Sequence, residues 1–300
     1  MSKKILITGG NGFIARSLFE EFTNCYFSPL ECNIVAPNRK ELDILDHSKV
    51  YDFIKNNKFD VVIHTANYDA VPEFTDKKTS EVLDNNLRMF FNLVRCRDYF
   101  GKMLYFGSGA EAGREDWAHR MTEEYIDRKV PGNPYAYSKH LMNKYSKMGG
   151  NIYNLRLFGV FGKFDDWRYR FIPNACCKAV LDLPVVIKKD IMFDYLYVDD
   201  LIEIVKWFMD NIPEQNSYNI CSGEVYSYSQ LANMVVATSG KQLEVINRDS
   251  LIQEEYSGNN SLLLREATNF KFTPIEKSIK DLYDWYDSHI SIIDEKRLVY

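Results

Sequence analysis

The chain has 300 residues, a formal net charge of −5 and a hydrophobic content of 46%, so it is long enough to bury a sizeable core. No basic block is present, which argues against a nucleic-acid surface, and no apolar run reaches the roughly 20 residues needed to span a bilayer. The six cysteines lack C-x-x-C spacing and the five histidines are scattered, which argues against a metal site. We therefore expect a cytoplasmic protein with reduced thiols, one large domain and a smaller lobe.

The first stretch, Lys4 to Ala15, predicts a phosphate-binding turn. Residues 5–7 are an apolar run typical of a buried parallel strand, and a helix is predicted over 13–22. Between them, Gly9 and Gly12 permit a tight turn and the close approach of a pyrophosphate to the helix N-terminus. The alternative is an ordinary strand-to-helix turn, because a glycine pattern alone has low specificity.

The second predicted strand, residues 33–36, ends at a position that discriminates between dinucleotides. An acidic residue there would bond the adenosine ribose, whereas a basic residue would accept a 2′-phosphate. Arg39 and Lys40 follow the strand, which favours NADP(H), and the alternative is a pair of solvated charges. Asp46 is then placed to cap a helix predicted over 47–57.

A third buried strand over residues 60–64 brings polar residues to the carboxyl edge of the predicted sheet. Open α/β sheets bind ligands at this edge, so we expect residues 65–67 to face a cofactor. His64 lies in an apolar run and is predicted to be a core histidine. A long helix is predicted over 80–100, with apolar surface for both the sheet and a partner subunit, and a fourth strand over 102–107.

A tyrosine and a lysine at helical spacing predict a proton-transfer site. Tyr135 and Lys139 are four residues apart and share one helix face. A neighbouring ammonium favours the phenolate, so the tyrosine can exchange a proton with a carbonyl or an alcohol. Ser108, after the fourth strand, is predicted to hold the same oxygen. The alternative is a surface Tyr–Lys pair. The irregular stretch 109–134 is predicted to be a functional loop or lid.

Basic residues are scattered through short elements after the fifth predicted strand, residues 151–157. Arg168, Arg170 and Lys178 are typical of a lobe that binds a phosphorylated substrate, and equally of a solvated surface. The remaining predicted elements are a strand from 193 that runs into a helix capped by Asp199 or Asp200, a strand and turn at 219–223, and helices over 229–239 and 275–290.

Several motifs, taken in order, resemble one family. They are T-G-G-N-G-F-I-A over residues 8–15, Ser108, Tyr135-x-x-x-Lys139, R-L-F-G-V-F-G over 156–162, Y-V-D-D over 197–200 and Y-N-I-C-S-G over 218–223. This set resembles the extended short-chain dehydrogenase/reductase family, which comprises nucleotide-sugar epimerases, dehydratases and ketoreductases. The passage N-R-K-E-L-D-I-L-D over 38–46 looks most like GDP-fucose synthases, whose members use NADPH.

The resemblance implies an architecture and a set of ligands. The fold class is α/β: a Rossmann-type doubly wound parallel sheet over residues 1–160, with contributions from 190–225. A smaller C-terminal α/β lobe over 161–300 would bind a nucleotide-diphosphate sugar. The implied cofactor is NADP(H), with NAD(H) as second choice. The implied assembly is a homodimer formed through the helices at 80–100 and 135–147.

The resemblance also implies site residues. The expected catalytic residues are Ser108, Tyr135 and Lys139. The expected cofactor contacts are Gly9, Gly12, Phe13, Ile14, Arg39, Asp43, Ile44, Ala66, Asn86, Tyr135 and Lys139. The expected substrate contacts are Arg168, Arg170 and Lys178. No metal is expected.

Departures from the family pattern narrow the predicted reaction. Gly109 and Ala110 follow Ser108 where the family's dehydratases carry acidic residues, which argues against a 4,6-dehydratase. GDP-fucose synthases carry a cysteine and a histidine for epimerisation, and the corresponding positions here hold Ala110 and Arg170. Neither residue can abstract a proton beside a ketone. Glu111 is the nearest alternative base.

Two further departures, Gly159 and Phe193, stand where the family has an asparagine and an arginine, so substrate contacts are expected to differ. Three hypotheses follow for function. The first is an NADPH-dependent 4-ketoreductase for a nucleotide-sugar in deoxysugar or surface-polysaccharide precursor synthesis, acting without epimerisation. The second is an NAD-dependent 4-epimerase that uses the same catalytic triad of Ser108, Tyr135 and Lys139. The third is a non-catalytic dinucleotide-binding regulator.

Overall fold

The structure is a computed structural model that describes residues 3–24, 32–71, 73–249 and 254–299. The chain forms two compact units. The first unit consists of Met1–Asp116, Thr122–Leu157 and Ile204–Asn219. The second unit consists of Trp117–Met121, Phe158–Glu203 and Ile220–Tyr300.

Strands and short helices alternate along the chain. The strands are β1 (Lys3–Thr8), β2 (Cys32–Val35), β3 (Val61–His64), β4 (Lys102–Ser108), β5 (Ile152–Leu157), β6 (Gly159–Phe161), β7 (Val185–Ile187), β8 (Met192–Tyr197), β9 (Ser217–Ile220), β10 (Val225–Ser227), β11 (Val245–Asn247) and β12 (Glu255–Tyr256). The α-helices are α1 (Phe13–Asn24), α2 (His47–Asn57), α3 (Val82–Val94), α4 (Glu123–Asp127), α5 (Pro134–Ser146), α6 (Phe171–Val180), α7 (Val198–Asp210), α8 (Tyr228–Ser239), α9 (Ser261–Glu266) and α10 (Ile275–Ser288).

The first unit is built on a six-stranded sheet with the order β2-β1-β3-β4-β5-β9. The pairings from β2 through β5 are parallel, with Leu6 opposite both Val35 and Val62. Apolar residues such as Ile5 and Ile63 are fully buried, as expected for strands covered on both faces. The chain reverses its direction of travel across the sheet between β1 and β3, and ligands bind at such switch points. The predicted Rossmann-type doubly wound parallel sheet is confirmed.

Local signals account for several helix boundaries. Asp46 has extended backbone geometry, and its side chain accepts a hydrogen bond from the Lys49 backbone N–H at 3.1 Å, so the predicted cap of α2 is confirmed. The helix ends at Lys58, which adopts the left-handed conformation with φ of 51°. The Asp46 cap and the left-handed Lys58 therefore define the two ends of α2.

The predicted helix over 80–100 is wrong in its length. A 3₁₀ turn over Thr79–Glu81 precedes α3, which ends at Val94, and a second 3₁₀ turn follows over Arg97–Tyr99. The second turn brings the Tyr99 hydroxyl to 3.0 Å from that of Tyr51 on α2. Hydrophobic periodicity does not indicate this tertiary contact, because the apolar side chains within 95–100 continue the helical spacing.

The second unit has two small sheets and three packed helices. Strand β8 pairs antiparallel with β10 and parallel with β12 and β6, while β7 pairs with β11. Helices α6, α8 and α10 enclose a core that includes Ile172, Leu231 and Ile279, all fully buried. The unit is thus α/β, with its own hydrophobic core.

Asp199 and Asp200 do not cap α7 as predicted, because both lie within its first turn. The Asp200 carboxylate instead accepts hydrogen bonds from the backbone N–H and the hydroxyl of Thr273, at 2.9 Å and 2.8 Å. The carboxylate therefore holds the segment that leads into α10.

Within residues 3–24, 32–71, 73–249 and 254–299, no helix is long and apolar enough to cross a membrane. Nor do those residues include a group of three or more His, Cys, Asp or Glu side chains that could hold a metal ion. Four cysteines, Cys96, Cys176, Cys177 and Cys221, are free and buried. Burial raises the pKa of the Cys96 thiol to about 11, so it remains protonated at neutral pH.

Candidate active site

The turn after β1 is shaped by glycines that admit no side chain. Gly9 has φ of +71°, and a Cβ there would lie 2.9 Å from the Cα of Ala66. A Cβ on Gly10 would lie 2.3 Å from the Ala36 carbonyl oxygen. The Gly12 N–H donates to the Gly9 carbonyl at 2.8 Å, and α1 begins at the next residue. The backbone donors of a helix N-terminus therefore lie at the carboxyl ends of three strands, a geometry that fits a dinucleotide pyrophosphate.

Residues after β1 and β3 are tied together at this edge. The Thr65 hydroxyl donates to the Thr8 carbonyl at 2.6 Å, and the Ala66 N–H donates to the Thr8 hydroxyl at 3.3 Å. The Thr8 hydroxyl also lies 2.9 Å from Nδ1 of His64. Burial, with a smaller contribution from the Lys139 ammonium, lowers the pKa of His64 to about 3. His64 is therefore a neutral core histidine, as predicted.

The predicted cofactor residues after β2 differ in accessibility. The Arg39 side chain is 70% exposed and its Nε lies 3.7 Å from a carboxylate oxygen of Asp43. Asp43 also accepts a hydrogen bond from the Leu45 N–H at 3.1 Å. The Ile44 side chain is buried in the core, and its carbonyl accepts from Asn92 on α3. Arg39 can therefore reach a phosphate, whereas the side chain of Ile44 packs in the core, and its contact with the cofactor stays a prediction.

Asn86 performs a structural task that the sequence did not predict. Its side chain is buried, its Oδ1 accepts from the Tyr68 N–H at 2.8 Å, and its Nδ2 donates to the Tyr68 carbonyl at 3.1 Å. Both ends of the amide are thus occupied by the backbone of the loop after β3. Asn86 holds that loop in place, and its predicted contact with the cofactor stays a prediction.

Helix α5 places the tyrosine and the lysine of the predicted triad. Its N-cap Asn133 accepts from the N–H groups of Tyr135 and Ala136, and Pro134 occupies the first turn. The Lys139 ammonium donates to the Phe106 carbonyl on β4 at 2.8 Å and lies 5.7 Å from the centre of the Tyr135 ring. Burial lowers the pKa of Lys139 to about 8, against the opposing effect of the Glu111 and Asp69 carboxylates.

Ser108 ends β4, two residues after the carbonyl that Lys139 contacts. Its Oγ accepts a hydrogen bond from the Ala110 N–H at 3.2 Å, which leaves the hydroxyl proton to be donated. Its backbone N–H donates to Oε1 of Glu111 at 3.0 Å. The structure therefore brings Ser108 and Lys139 to one strand end, with Tyr135 one helical turn before Lys139. A hydroxyl donor, a phenol and an ammonium so arranged can polarise and protonate a carbonyl oxygen.

Sequence reasoning missed a buried ionic network beneath this strand end. Arg156 on β5 and Glu111 are both fully buried and are joined by an ion pair of 2.9 Å. The sequence signal for this network was the arginine within the predicted buried strand, since a buried arginine requires paired carboxylates. The stretch 109–134, predicted to be a loop or lid, contains a 3₁₀ turn over Gly109–Ala112 and helix α4. The ion pair between Glu111 and Arg156 anchors part of this stretch to β5.

The predicted substrate residues lie in the second unit and differ from one another. Arg168 forms an ion pair with Asp166, and Arg170 is exposed with its guanidinium 5.3 Å from the Tyr169 ring centre. Lys178 is only 1% exposed, and its ammonium donates to the Val299 carbonyl at 3.1 Å. Burial, together with the nearby charges of Lys188 and Arg248, lowers the pKa of Lys178 to about 8. Lys178 is therefore not a solvated surface lysine, and its predicted contact with the substrate stays a prediction.

The two departures at Gly159 and Phe193 are physically coupled. A Cβ on Gly159 would lie 2.8 Å from the Phe193 ring and from the Asp194 carbonyl oxygen. The Phe193 ring stacks on Tyr195 at 4.8 Å and contacts Tyr256 at 4.9 Å. Gly159 therefore leaves room for an aromatic cluster. This cluster stands where the family pattern has an asparagine and an arginine.

Comparisons with known proteins identify the family and the fold. Residues 5–221 match the NAD dependent epimerase/dehydratase family. A dTDP-4-dehydro-6-deoxy-D-allose reductase of a Streptomyces species is 26% identical, with 96% of this chain and 97% of that protein aligned.

Two solved structures share the fold. A GDP-L-fucose synthetase from Naegleria fowleri bound to NADP has a TM-score of 0.81 at 20% identity, covering 96% of this chain and 95% of that chain. A GDP-mannoheptose C4 reductase from Campylobacter jejuni with NADP bound has a TM-score of 0.81 at 22% identity, covering 95% and 98%. The family predicted from the motifs is confirmed, and the chain belongs to the NAD dependent epimerase/dehydratase family.

Proposed function

We propose that this protein uses NADPH to reduce a 4-keto nucleotide-diphosphate sugar at carbon 4, without epimerising the neighbouring carbons. The observation that carries the proposal is the 2.8 Å hydrogen bond from Lys139 to the Phe106 carbonyl. That bond brings α5, with Tyr135, to the strand end where Ser108 lies. The reaction would serve the synthesis of deoxysugar or surface-polysaccharide precursors.

The first unit has the features that a dinucleotide needs. The glycine turn and the start of α1, with Phe13 and Ile14, would receive the pyrophosphate, and Ala66 would line the same edge. The exposed guanidinium of Arg39 favours NADPH over NADH, because it can pair with a 2′-phosphate. When bound, the cofactor would supply the hydride that carbon 4 receives.

The triad residues have separate tasks in this proposal. The Ser108 hydroxyl donates a hydrogen bond to the substrate carbonyl, which it can do because its lone pair already accepts from the Ala110 N–H. Tyr135 delivers its proton to the oxygen as the carbonyl becomes an alcohol. The Lys139 ammonium holds the nicotinamide ribose and favours the phenolate that Tyr135 leaves behind.

The proposed absence of epimerisation rests on the side chains at the positions where GDP-fucose synthases carry their epimerising cysteine and histidine. Ala110 has no acid or base, and the guanidinium of Arg170 stays protonated. Glu111 is paired with Arg156 and receives the Ser108 N–H, so its carboxylate is directed inward. In the second unit, burial raises the pKa of Asp165 to about 6, although the nearby Arg170 guanidinium opposes this. Asp165 is therefore the carboxyl that a test of this proposal must examine.

We propose separate tasks for the two units, with the cofactor in the first and the nucleotide-sugar in the second. We also propose a homodimer formed through α3 and α5. Leu87 and Phe91 on α3, with Leu141 and Tyr145 on α5, are only partly buried and supply apolar surface for a partner subunit. Sedimentation at micromolar concentration tests the dimer, and a monomer there would contradict it.

The function is tested by offering the purified protein NADPH and a panel of 4-keto nucleotide-sugars that differ in base and sugar. We expect NADPH oxidation with at least one member, and an alcohol at carbon 4 of the product. Tightly held NAD⁺ in the purified protein, with interconversion of 4-hydroxy sugars, would support a 4-epimerase instead. Cofactor binding without turnover of any member would support a regulator.

A further inference from the structure

Glu111 is a carboxylate turned into the protein directly behind Ser108. Its Oε1 accepts from the Ser108 backbone N–H at 3.0 Å, and its Oε2 lies 2.9 Å from both Nε and a terminal nitrogen of Arg156. The two residues close a 3₁₀ turn in which the serine hydroxyl and the glutamate each receive a backbone N–H. The backbone position of Ser108 therefore depends on where Glu111 is held.

Arg156 holds Glu111 from the neighbouring strand. Its guanidinium is fully buried and also donates to Oδ1 of Asn219 at 3.1 Å and to Oδ1 of Asp127 at 3.0 Å. The register of β4 and β5 places Gly107 opposite Arg156. A Cβ on Gly107 would lie 2.5 Å from Oε1 of Glu111, so the strand must carry a glycine where the network passes it.

The network continues to the helix that carries the rest of the triad. Asp127 accepts from Nδ2 of Asn143 at 2.6 Å and pairs with Lys147 just beyond the end of α5. Asn143 in turn accepts from Nδ2 of Asn154 on β5 at 3.0 Å. A continuous set of hydrogen bonds and ion pairs thus joins the strand end at Ser108 to helix α5, and every member lies in the first unit.

A buried ion-pair network is a poor source of stability, because desolvation of the charges offsets their attraction and apolar residues would fill the space at less cost. Its benefit is geometric, since fixed guanidinium and carboxylate directions define one arrangement of the groups that they contact. Here those groups are the N–H of Ser108 and the side chains at the far end of α5.

We propose that Glu111 and Arg156 are positioning residues that fix Ser108 relative to Tyr135 and Lys139. The inference rests on the proposed function, because it assigns Ser108 the substrate carbonyl. Removing the Glu111 carboxylate releases the Ser108 N–H, and the serine hydroxyl then loses its alignment with the carbonyl. Misplacement of a reacting group by about 1 Å costs on the order of a hundredfold in rate. The loss falls on kcat, while NADPH affinity is unchanged.

The test is a double-mutant cycle on kcat with Glu111→Ala and Ser108→Ala. We expect each single variant to lose about tenfold to a hundredfold. The double variant should be no more than about twofold slower than Ser108→Ala alone, because Glu111 acts through Ser108. Multiplied losses in the double variant would overturn the proposal. Glu111→Gln keeps an oxygen that can accept from the Ser108 N–H, so we expect a smaller loss of kcat than in Glu111→Ala. If Glu111→Ala does not fold, Glu111→Gln takes its place in the cycle.

Asp190→Ala is the matched control for general loss of a buried carboxylate. Asp190 is buried in the second unit and accepts from the Ser229 N–H at 3.1 Å and from Asn247 at 3.2 Å. Any loss of activity that it causes should multiply with that of Ser108→Ala. A cycle in which Asp190→Ala is as non-additive as Glu111→Ala would also overturn the proposal.

Amide hydrogen exchange at Ser108 separates this inference from the proposed function. We expect protection in the unaltered protein and in Asp190→Ala, and faster exchange in Glu111→Ala. If the unaltered protein reduces no keto-sugar, the proposed function fails, and exchange at Ser108 still decides whether Glu111 holds the serine. Unchanged protection in Glu111→Ala would contradict the positioning role.

Discussion

The triad in the first unit and the basic residues in the second unit were both predicted as site residues, but the structure treats them differently. Lys139 reaches the strand that ends in Ser108, whereas Lys178 is buried against the Val299 carbonyl. Both lysines have a pKa lowered to about 8 by burial. A buried lysine therefore becomes a candidate for catalysis through its neighbours, here Tyr135 and Ser108, and not through its own desolvation.

The triad side of this comparison is tested most severely by Tyr135→Phe. We expect a loss on the order of a hundredfold or more in kcat with unchanged cofactor binding, because the general acid is removed while the ring remains. Tyr137→Phe is the matched control on the same helix, since Leu141 stands four residues after it in place of a lysine. A Tyr135→Phe variant with near-full activity would remove Tyr135 from the mechanism.

The two lysines also predict a pH dependence. As pH rises through about 8, Lys139 loses its proton and its ammonium no longer supports the triad, so kcat/KM should fall by about tenfold per pH unit above that value. The measurement is the pH profile of kcat/KM in the unaltered protein and in Lys178→Met. The position of the alkaline limb should be the same in both, and a limb that moves in Lys178→Met would assign the titration to the second unit.

Arg39 extends the comparison to the cofactor. Arg39→Ala should raise the Michaelis constant for NADPH by about tenfold and leave that for NADH nearly unchanged, because a charge-assisted contact to the 2′-phosphate is lost. Arg88→Ala serves as the control, since Arg88 is an exposed arginine whose partner, Asp84, lies on the same helix. Equal effects on both cofactors would mean that Arg39 does not contact the 2′-phosphate.

The smallest expected effects are on the Michaelis constant for the nucleotide-sugar, and they distinguish Arg170 from Lys178 in the second unit. Arg170→Ala should raise the Michaelis constant for the nucleotide-sugar several-fold, because an exposed guanidinium can form charge-assisted hydrogen bonds with a diphosphate. Lys178→Met should change it by less than about threefold, because Lys178 is held by the Val299 carbonyl. A Lys178→Met effect as large as that of Arg170→Ala would show that Lys178 leaves this contact to bind substrate.

Local spacing explains which features could be predicted from the sequence. The turn at Gly9, the Asp46 cap and the Tyr135–Lys139 pair are set by residues within a few positions of each other, so the sequence alone indicates them. Glu111 and Arg156 are separated by 45 positions in the sequence, and Lys178 and Val299 by 121, so no local signal indicates these contacts. The break of the helix predicted over 80–100 also lacks a local signal, and the 3₁₀ turn that follows it contacts α2 through Tyr99 and Tyr51.

The same distinction holds for the coupled departures in the second unit. Gly159 and Phe193 each looked like the loss of one substrate contact, and only the fold places the phenyl ring where a side chain on Gly159 would lie. The sequence therefore indicates that substrate recognition has changed, whereas the structure indicates that the two changes form one aromatic contact.

The central claim, reduction at carbon 4 without epimerisation, is tested most directly by turnover of a 4-keto nucleotide-sugar in deuterated water followed by NMR of the product. Ala110 has no acid or base, the Arg170 guanidinium stays protonated and Glu111 is paired with Arg156, so we expect no deuterium on carbon 3 or carbon 5 above the rate without enzyme. Enzyme-dependent deuterium on either carbon would contradict the account, and its loss in Asp165→Asn would identify Asp165 as the epimerising base.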